Sequence, residues 1–255
     1  VLSAGAIHTP WLLLRSGIRG AVGSRFTAHP GFSVAGMFDH KVDLSSGATQ
    51  GYEVTSVRKH GLKIEALGMP KSIAAARLPG AGPAFKSLSD RFDQLGVWVC
   101  LFRPERHGTL GLSLLGRPSA KLAIGAGDRA RIRIGLEHLV KLFFAAGART
   151  VFPGIAGFPS AIDSPAALDR LGEPFPSQLS MVATHLFGGA VLGTDPATSV
   201  VDPASFQVHG VPGLHVADAS LLPTSLGVNP QGTIMALSRI AAERIHSSAR
   251  AARAA

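Results

Sequence analysis

Apolar positions fall into short blocks along most of the chain, with two longer stretches of helical period. Residues 1–3 read as the end of a strand, and Ala4-Gly5-Ala6 as a tight turn of small residues. Thr9 and Pro10 open a helix at Trp11 to Leu14. A strand, a small-residue turn and a helix form the unit of doubly wound sheets, where ligands sit at the strand's C-terminal end. Residues 32–38, 51–57, 63–67 and 97–102 read as short strands. Residues 73–78 and 84–92 have weaker helical character. Residues 110–115 and 121–124 predict a hairpin. Residues 130–146 predict a helix with Asp128 as its N-cap. Residues 160–179 are polar and carry Pro165, Pro174 and Pro176, as a linker with a short helix would. The middle of the chain is thus expected to be an antiparallel sheet with helices.

The last part of the chain has the clearest pattern. Residues 214–217 form an apolar strand, and residues 218–228 a loop rich in Ser, Thr, Gly and Pro. From Asn229 the period is helical. Asn229 is placed to cap, Pro230 fits the first helical position, and Ile234, Leu237, Ala241 and Ile245 recur on one face. This arrangement aims a helix N-terminus beyond the strand. Its free N–H groups and positive dipole suit an anionic or electron-rich ligand.

Composition narrows the class. With 46% hydrophobic and 16% charged residues, the 255-residue chain can bury a sizeable core, in one large domain or two small ones. The net charge of +9 suggests a basic surface, an anionic ligand, a membrane surface or nucleic acid. The cations are scattered except for Arg239, Arg244, Arg250 and Arg253, and no zinc-finger spacing occurs, which argues against nucleic acid. Cys100 is the single cysteine, so no internal disulfide forms. No apolar run is long enough to span a bilayer, and no signal pattern opens the chain. The expected location is cytoplasmic, with association at a membrane surface left open. Val1 begins in what reads as mid-strand, so a longer protein with a further N-terminal part is expected.

Two stretches carry a family resemblance. SAGAIHTPWLLLRSGI at the start, and VADASLLPTS followed by GVNPQGTIMAL near the end, resemble signatures of the glucose-methanol-choline (GMC) flavin oxidoreductases. MVATHLFGGAVLGT (residues 181–194) is similar to the segment in which a histidine precedes a glycine-rich bend over the flavin. VKLFFAAGARTVFPG (residues 140–154) looks most like the long-chain alcohol oxidase branch. The resemblance implies an α/β (mixed α+β) fold. Residues 1–25 and 183–255 would form part of a doubly wound FAD-binding domain, and residues 26–182 an inserted antiparallel-sheet substrate domain. The N-terminal dinucleotide unit would lie upstream. FAD is the implied cofactor and a small-molecule alcohol, long-chain or apolar, the implied substrate. The electron acceptor is not specified.

Candidate chemistry follows from that resemblance. His185 would take the hydroxyl proton, a role suited to an imidazole, and Asn229 would orient the substrate. Ala4, Gly5, Asp218, Ala219, Asn229, Pro230 and Gln231 would contact the cofactor. Each has a plainer alternative. His185 reads equally as a satisfied loop histidine, Asn229 as a helix cap, and Asp218 as the residue of an Asx-turn. His29, before Pro30, reads as an ordinary loop histidine more readily than as a site residue.

Three further readings compete with this one. Gly125, Gly127 and Ala130 fit G-x-G-x-x-A, but the acid that a dinucleotide fingerprint places about 20 residues on is missing. A serine hydrolase needs G-x-S-x-G, and the sequences around Ser33 and Ser113 lack the final glycine. An incomplete chain that carries both catalytic side chains and yet is inert is the third. No histidine pair has metal-site spacing, so no metal is expected.

Overall fold

The computed structural model describes every residue except 48, 76, 77, 173, 175 and 255. In chain order its elements are α1 (Gly5–Arg15), β1 (Thr27–Met37), β2 (Glu53–Val54), β3 (Leu62–Ala66), α2 (Lys71–Ala75), α3 (Gly82–Asp90), β4 (Leu95–Phe102), β5 (Thr109–Leu112), β6 (Pro118–Lys121), α4 (Ala126–Ala145), β7 (Thr150–Phe152), β8 (Val182–Phe187) and α5 (Gln231–Ala254). They divide into two compact units. One comprises Val1–His29, Pro104–Ile124 and Ala183–Ala255; the other comprises Pro30–Arg103 and Gly125–Val182. The middle of the chain is therefore not one block. The β5–β6 hairpin groups with the two chain ends, whereas the apolar pattern placed it with the central sheet.

The second unit is built on an antiparallel sheet of order β2–β3–β4–β1–β7. Pairing of Phe32 with Cys100 and of Ala35 with Phe152 fixes the register. Side chains alternate between faces along each strand. On one face lies α4, at close range. A Cβ on Gly135 would stand 2.5 Å from the Cys100 sulfur, so glycine is what lets the helix approach the sheet. On the other face Ala35, Met37, Leu95, Val97 and Phe152 pack with Leu44, Met69, Ala74 and Leu78, and with Phe85 and Leu88 of α3. Burial of this kind contributes about 25 cal/mol per Å² of apolar surface and dominates folding. Lys63 and Glu65 of β3 are buried as an ion pair, which explains why β3 lacks a clean polar face.

Several boundaries differ from those the pattern predicts. Only Glu53 and Val54 of residues 51–57 are strand; a 3-10 helix, Thr55–His60, follows and ends on Gly61 in the left-handed conformation. The α4 helix starts at Ala126, and Asp128 stands inside it, accepting the Gly125 N–H at 3.0 Å. Asp128 thus caps from the third helical position, and not as the N-cap residue. The G-x-G-x-x-A stretch therefore opens a capped helix after a hairpin, not after a parallel strand. Of the helix expected at residues 73–78, residues 76 and 77 lie outside the described residues.

The first unit has its core in Leu13, Leu14, Val22, Phe26, Leu110, Val201, Phe206, Val208, Val216, Leu221 and Ala241. Its parallel pairing consists of the bridges Leu2–Val216 and Leu192–Val201. The first helix begins at Gly5, six residues before the expected start, and holds Pro10 within it. Proline inside a helix forfeits one hydrogen bond. What starts the helix early is a remote side chain, described next. On α5 Ala241 is buried and Leu237 packs on the core, as its period predicts.

Candidate functional site

Asp218 directly follows the strand end that Leu2 joins. The Leu2 N–H bonds the His215 carbonyl at 2.7 Å, and the Ala217 N–H bonds the Leu2 carbonyl at 2.9 Å. One carboxylate oxygen of Asp218 accepts from the Gly5 N–H at 2.9 Å and from the Thr9 hydroxyl at 2.5 Å. The other accepts from the Ser220 N–H at 2.8 Å and its hydroxyl at 2.5 Å. An ionised carboxylate offers about four lone-pair sites, and protein donors take all four. Thr9 also accepts the Ala4 N–H at 3.0 Å. Asp218 therefore orders the entry to α1, with Ala4 and Gly5, and its own Asx-turn with Ala219 and Ser220. The Asx-turn expectation holds, and the turn is wired to a helix more than two hundred residues away in sequence.

His185 lies on β8, half-buried, just before a bend at Gly188 and Gly189. Both glycines have positive φ, +79° and +89°. A Cβ on Gly188 would lie 2.0 Å from the Arg25 carbonyl oxygen, and one on Gly189 2.8 Å from the Pro10 ring. The bend is held on two sides. The Gly188 N–H donates to Ala219 and the Ala190 N–H to Ser220, while the Gly189 N–H donates to Ser24. The segment after His185 therefore lies along the Asp218 turn.

His29 corrects an expectation. It is not a loop residue but part of β1, with no solvent exposure. Proline biases the residue before it towards extended backbone, which is the local reason for strand at this position. Its ring stands 5.7 Å from that of His185, the planes tilted by 36°. The pair places a second imidazole behind the candidate catalytic one.

Asn229, Pro230 and Gln231 belong to a second segment, tied to the same strand end. The Ser238 hydroxyl on α5 donates to the Ala217 carbonyl at 3.3 Å. The helix starts at Gln231, and the Ile234 N–H bonds the Pro230 carbonyl at 2.9 Å, so Pro230 stands just ahead of the first turn rather than in it. Asn229 is half-buried, Pro230 buried and Gln231 exposed. In the loop before them Ser225 is buried, and its hydroxyl has no hydrogen-bond partner among the described residues. A buried hydroxyl left unbonded costs free energy.

Thr9, Ser220 and Ser225 are residues around the site that the pattern did not single out, and the pattern reads His29 as a loop histidine. Asp-x-Ser at 218–220 was a usable signal for the turn, and His-Pro at 29–30 for the strand. Thr9 and Ser225 had none. Among the described residues no group of three or more His, Cys, Asp or Glu is placed to hold a metal ion. No described helix is long and apolar enough to cross a membrane.

The fold matches that of a formate oxidase variant from Aspergillus oryzae: 97% of the chain superposes on 54% of that enzyme, with a TM-score of 0.66 at 18% identity, in a structure concerned with FAD modification. A family model described as GMC oxidoreductase matches residues 104–238, more than half of the chain. The chain belongs to the GMC oxidoreductase family. An uncharacterized GMC-type oxidoreductase of Mycobacterium tuberculosis is 35% identical over 247 residues, which are 96% of this chain and 39% of that protein. A long-chain-alcohol oxidase of Arabidopsis thaliana is 26% identical over 275 residues, covering 96% of this chain and 35% of that enzyme. The chain spans less than half the length of these curated relatives.

Proposed function

We propose that the chain carries the proton-transfer half of an FAD-dependent oxidoreductase that converts an alcohol, long-chain or otherwise apolar, to an aldehyde or ketone. The observation that carries this reading is His185, half-buried on β8 and followed by a glycine bend hydrogen-bonded to the Asp218 turn. Residues 1–25 and 183–255 would serve the cofactor, and the sheet-bearing unit within residues 26–182 the substrate.

The residues present fit a flavin. The buried Ser225 hydroxyl seeks a polar partner, and the start of α5 offers N–H groups at a positive helix end. The tight turn at Ala4 and Gly5 allows close approach of a ligand to backbone. When bound, the flavin supplies the acceptor for the carbinol hydride. His185 takes the hydroxyl proton, and the ring of His29 behind it limits its orientation. Asn229 hydrogen-bonds the hydroxyl oxygen and orients the substrate. The N–H of Gln231 favours negative charge beside the helix start, and Pro230, which has no N–H, serves only to set that start. Ala219 lines the turn. Asp218, its acceptor sites engaged, acts by holding the Gly5 and Ser220 backbones in place.

The test is purification of the complete protein with added FAD, followed by assay against primary alcohols under an artificial electron acceptor. A yellow protein that oxidises them is expected. A colourless protein that binds no FAD would overturn the cofactor reading, and a flavoprotein inert towards every alcohol would overturn the substrate reading.

A further inference from the structure

The β5–β6 hairpin ends in a turn over residues 113–116. The Gly116 N–H donates to the Ser113 carbonyl at 2.9 Å, the Ser113 N–H to the Arg117 carbonyl at 2.8 Å, and the Arg117 N–H to the Ser113 hydroxyl at 3.1 Å. Gly116 closes the turn with a φ of +72°, a conformation glycine adopts without steric cost. The two central positions are Leu114 and Leu115. Turns favour Gly, Pro, Asn, Asp and Ser there, and the bonds that hold this one use neither leucine side chain. Leu114 is fully exposed, Leu115 is 82% exposed, and Leu112, at the end of β5, is 38% exposed. A single exposed leucine is ordinary. These leucines instead cluster at the tip of an ordered hairpin and form an apolar cap that folding does not explain.

We propose that this tip is a membrane-docking element and that its partner is the surface of an anionic lipid bilayer. Charge selects the partner. Residues 1–29 and 106–124 lie in the same unit as the tip and hold Arg15, Arg19, Arg25, Arg106, Arg117 and Lys121, with no Asp or Glu. All these cations are exposed, and none forms an ion pair among the described residues. Two of them stand at the tip. Arg117 directly follows the turn. Trp11 of α1 donates its indole N–H to the Gly116 carbonyl at 2.8 Å, and the Arg15 guanidinium lies over the Trp11 ring, 5.5 Å from its centre. Tryptophan and cations beside apolar side chains are what a membrane–water boundary attracts. Acyl chains close around a projecting tip, whereas a protein partner needs a cleft of matching shape. Docking of this kind gains from the apolar area immersed and from the attraction of cations to anionic headgroups. It is peripheral: the leucines enter the boundary of the bilayer and the hairpin does not cross it. It does not depend on the alcohol reading.

The test is co-sedimentation of the complete protein with vesicles of phosphatidylcholine carrying about one-fifth phosphatidylserine, and with vesicles of phosphatidylcholine alone. Two double variants accompany it. Leu114→Asn with Leu115→Asn places turn-favouring residues at both positions and keeps the backbone bonds. Arg15→Gln with Arg117→Gln removes the two charges at the tip. The native protein is expected to bind the anionic vesicles, less well as salt is added. The leucine variant should bind about tenfold more weakly or worse, through lost apolar contact, and the arginine variant about fivefold more weakly per charge removed. The Tm of both variants should match that of the native protein. No binding to anionic vesicles, equal binding to both vesicle types, or native affinity in either folded variant overturns the inference. A native protein that sediments as a dimer, with a leucine variant that sediments as a monomer, also overturns it, because a second copy of the chain then covers the leucines.

Discussion

The carboxylate of Asp218 accepts a 2.5 Å hydrogen bond from the hydroxyl of Thr9, a residue 209 positions earlier in the chain. Through it the first helix and the turn before the last helix become one structure. Asp218→Ala would leave the Gly5 N–H, the Thr9 hydroxyl and the Ser220 N–H without their acceptor. Losses of about 1–3 kcal/mol per buried group left unsatisfied predict a destabilisation of several kcal/mol, with the entry to α1 frayed. Thr9→Val removes one bond and should cost about 1 kcal/mol. Urea unfolding of the two variants measures both, and equal stabilities would show that the network is not a tie.

His185→Ala in the complete, FAD-loaded protein is expected to lower kcat by about 10²–10⁴, the usual contribution of a positioned acid–base group. The flavin absorbance should be retained. If turnover is unchanged, the acid–base role belongs to another group.

Gly188→Ala is expected to destabilise the protein beyond the cost of left-handed backbone alone. That backbone costs about 1–2 kcal/mol for a residue with a Cβ, and here the Cβ would also fall 2.0 Å from the Arg25 carbonyl oxygen. Gly210→Ala is the control. Its φ of +72° is similar, but a Cβ there meets nothing within 4 Å. Thermal unfolding should show a clearly larger fall in Tm for Gly188→Ala.

Burial pushes the Cys100 thiol well above its usual range. Thiolate is the reactive form, so native protein should not react with a chromogenic disulfide reagent at neutral pH. Denaturant should release one thiol per chain. Because Cys100 lies beneath Gly135 of α4, its rate of labelling also reports opening of that helix from the sheet.

Asp202 carries one pH dependence of definite sign. The Ser205 hydroxyl, then the Ser205 N–H, holds its carboxyl below the usual carboxylate range. The unfolded state therefore binds its proton first as pH falls. The contribution to stability is complete above about pH 4 and fades as pH drops through the lowered folded value. Asp202→Asn should narrow its stability gap to the native protein between about pH 5 and pH 2. A gap that stays constant would mean that the turn draws nothing from the charge.

Local chemistry was legible wherever a short stretch of chain decides its own conformation. Strands β3 and β4 and most of β1, the helix after Pro230 and the turn at Asp218 follow from apolar period, proline and Asx geometry, and the signature stretches at both ends point to the family, whereas β2 shrank to two residues and β7 and β8 carried no strand pattern. What tertiary structure alone decided lies between distant residues. The start of α1 at Gly5 depends on a carboxylate at residue 218, which no local propensity contains. The burial of His29 against His185 depends on two strands meeting. The grouping of the β5–β6 hairpin with the chain ends depends on where Leu110 finds apolar neighbours, since its alternation is equally compatible with either unit. Periodicity specifies which face of an element is apolar; it does not specify which other face will cover it.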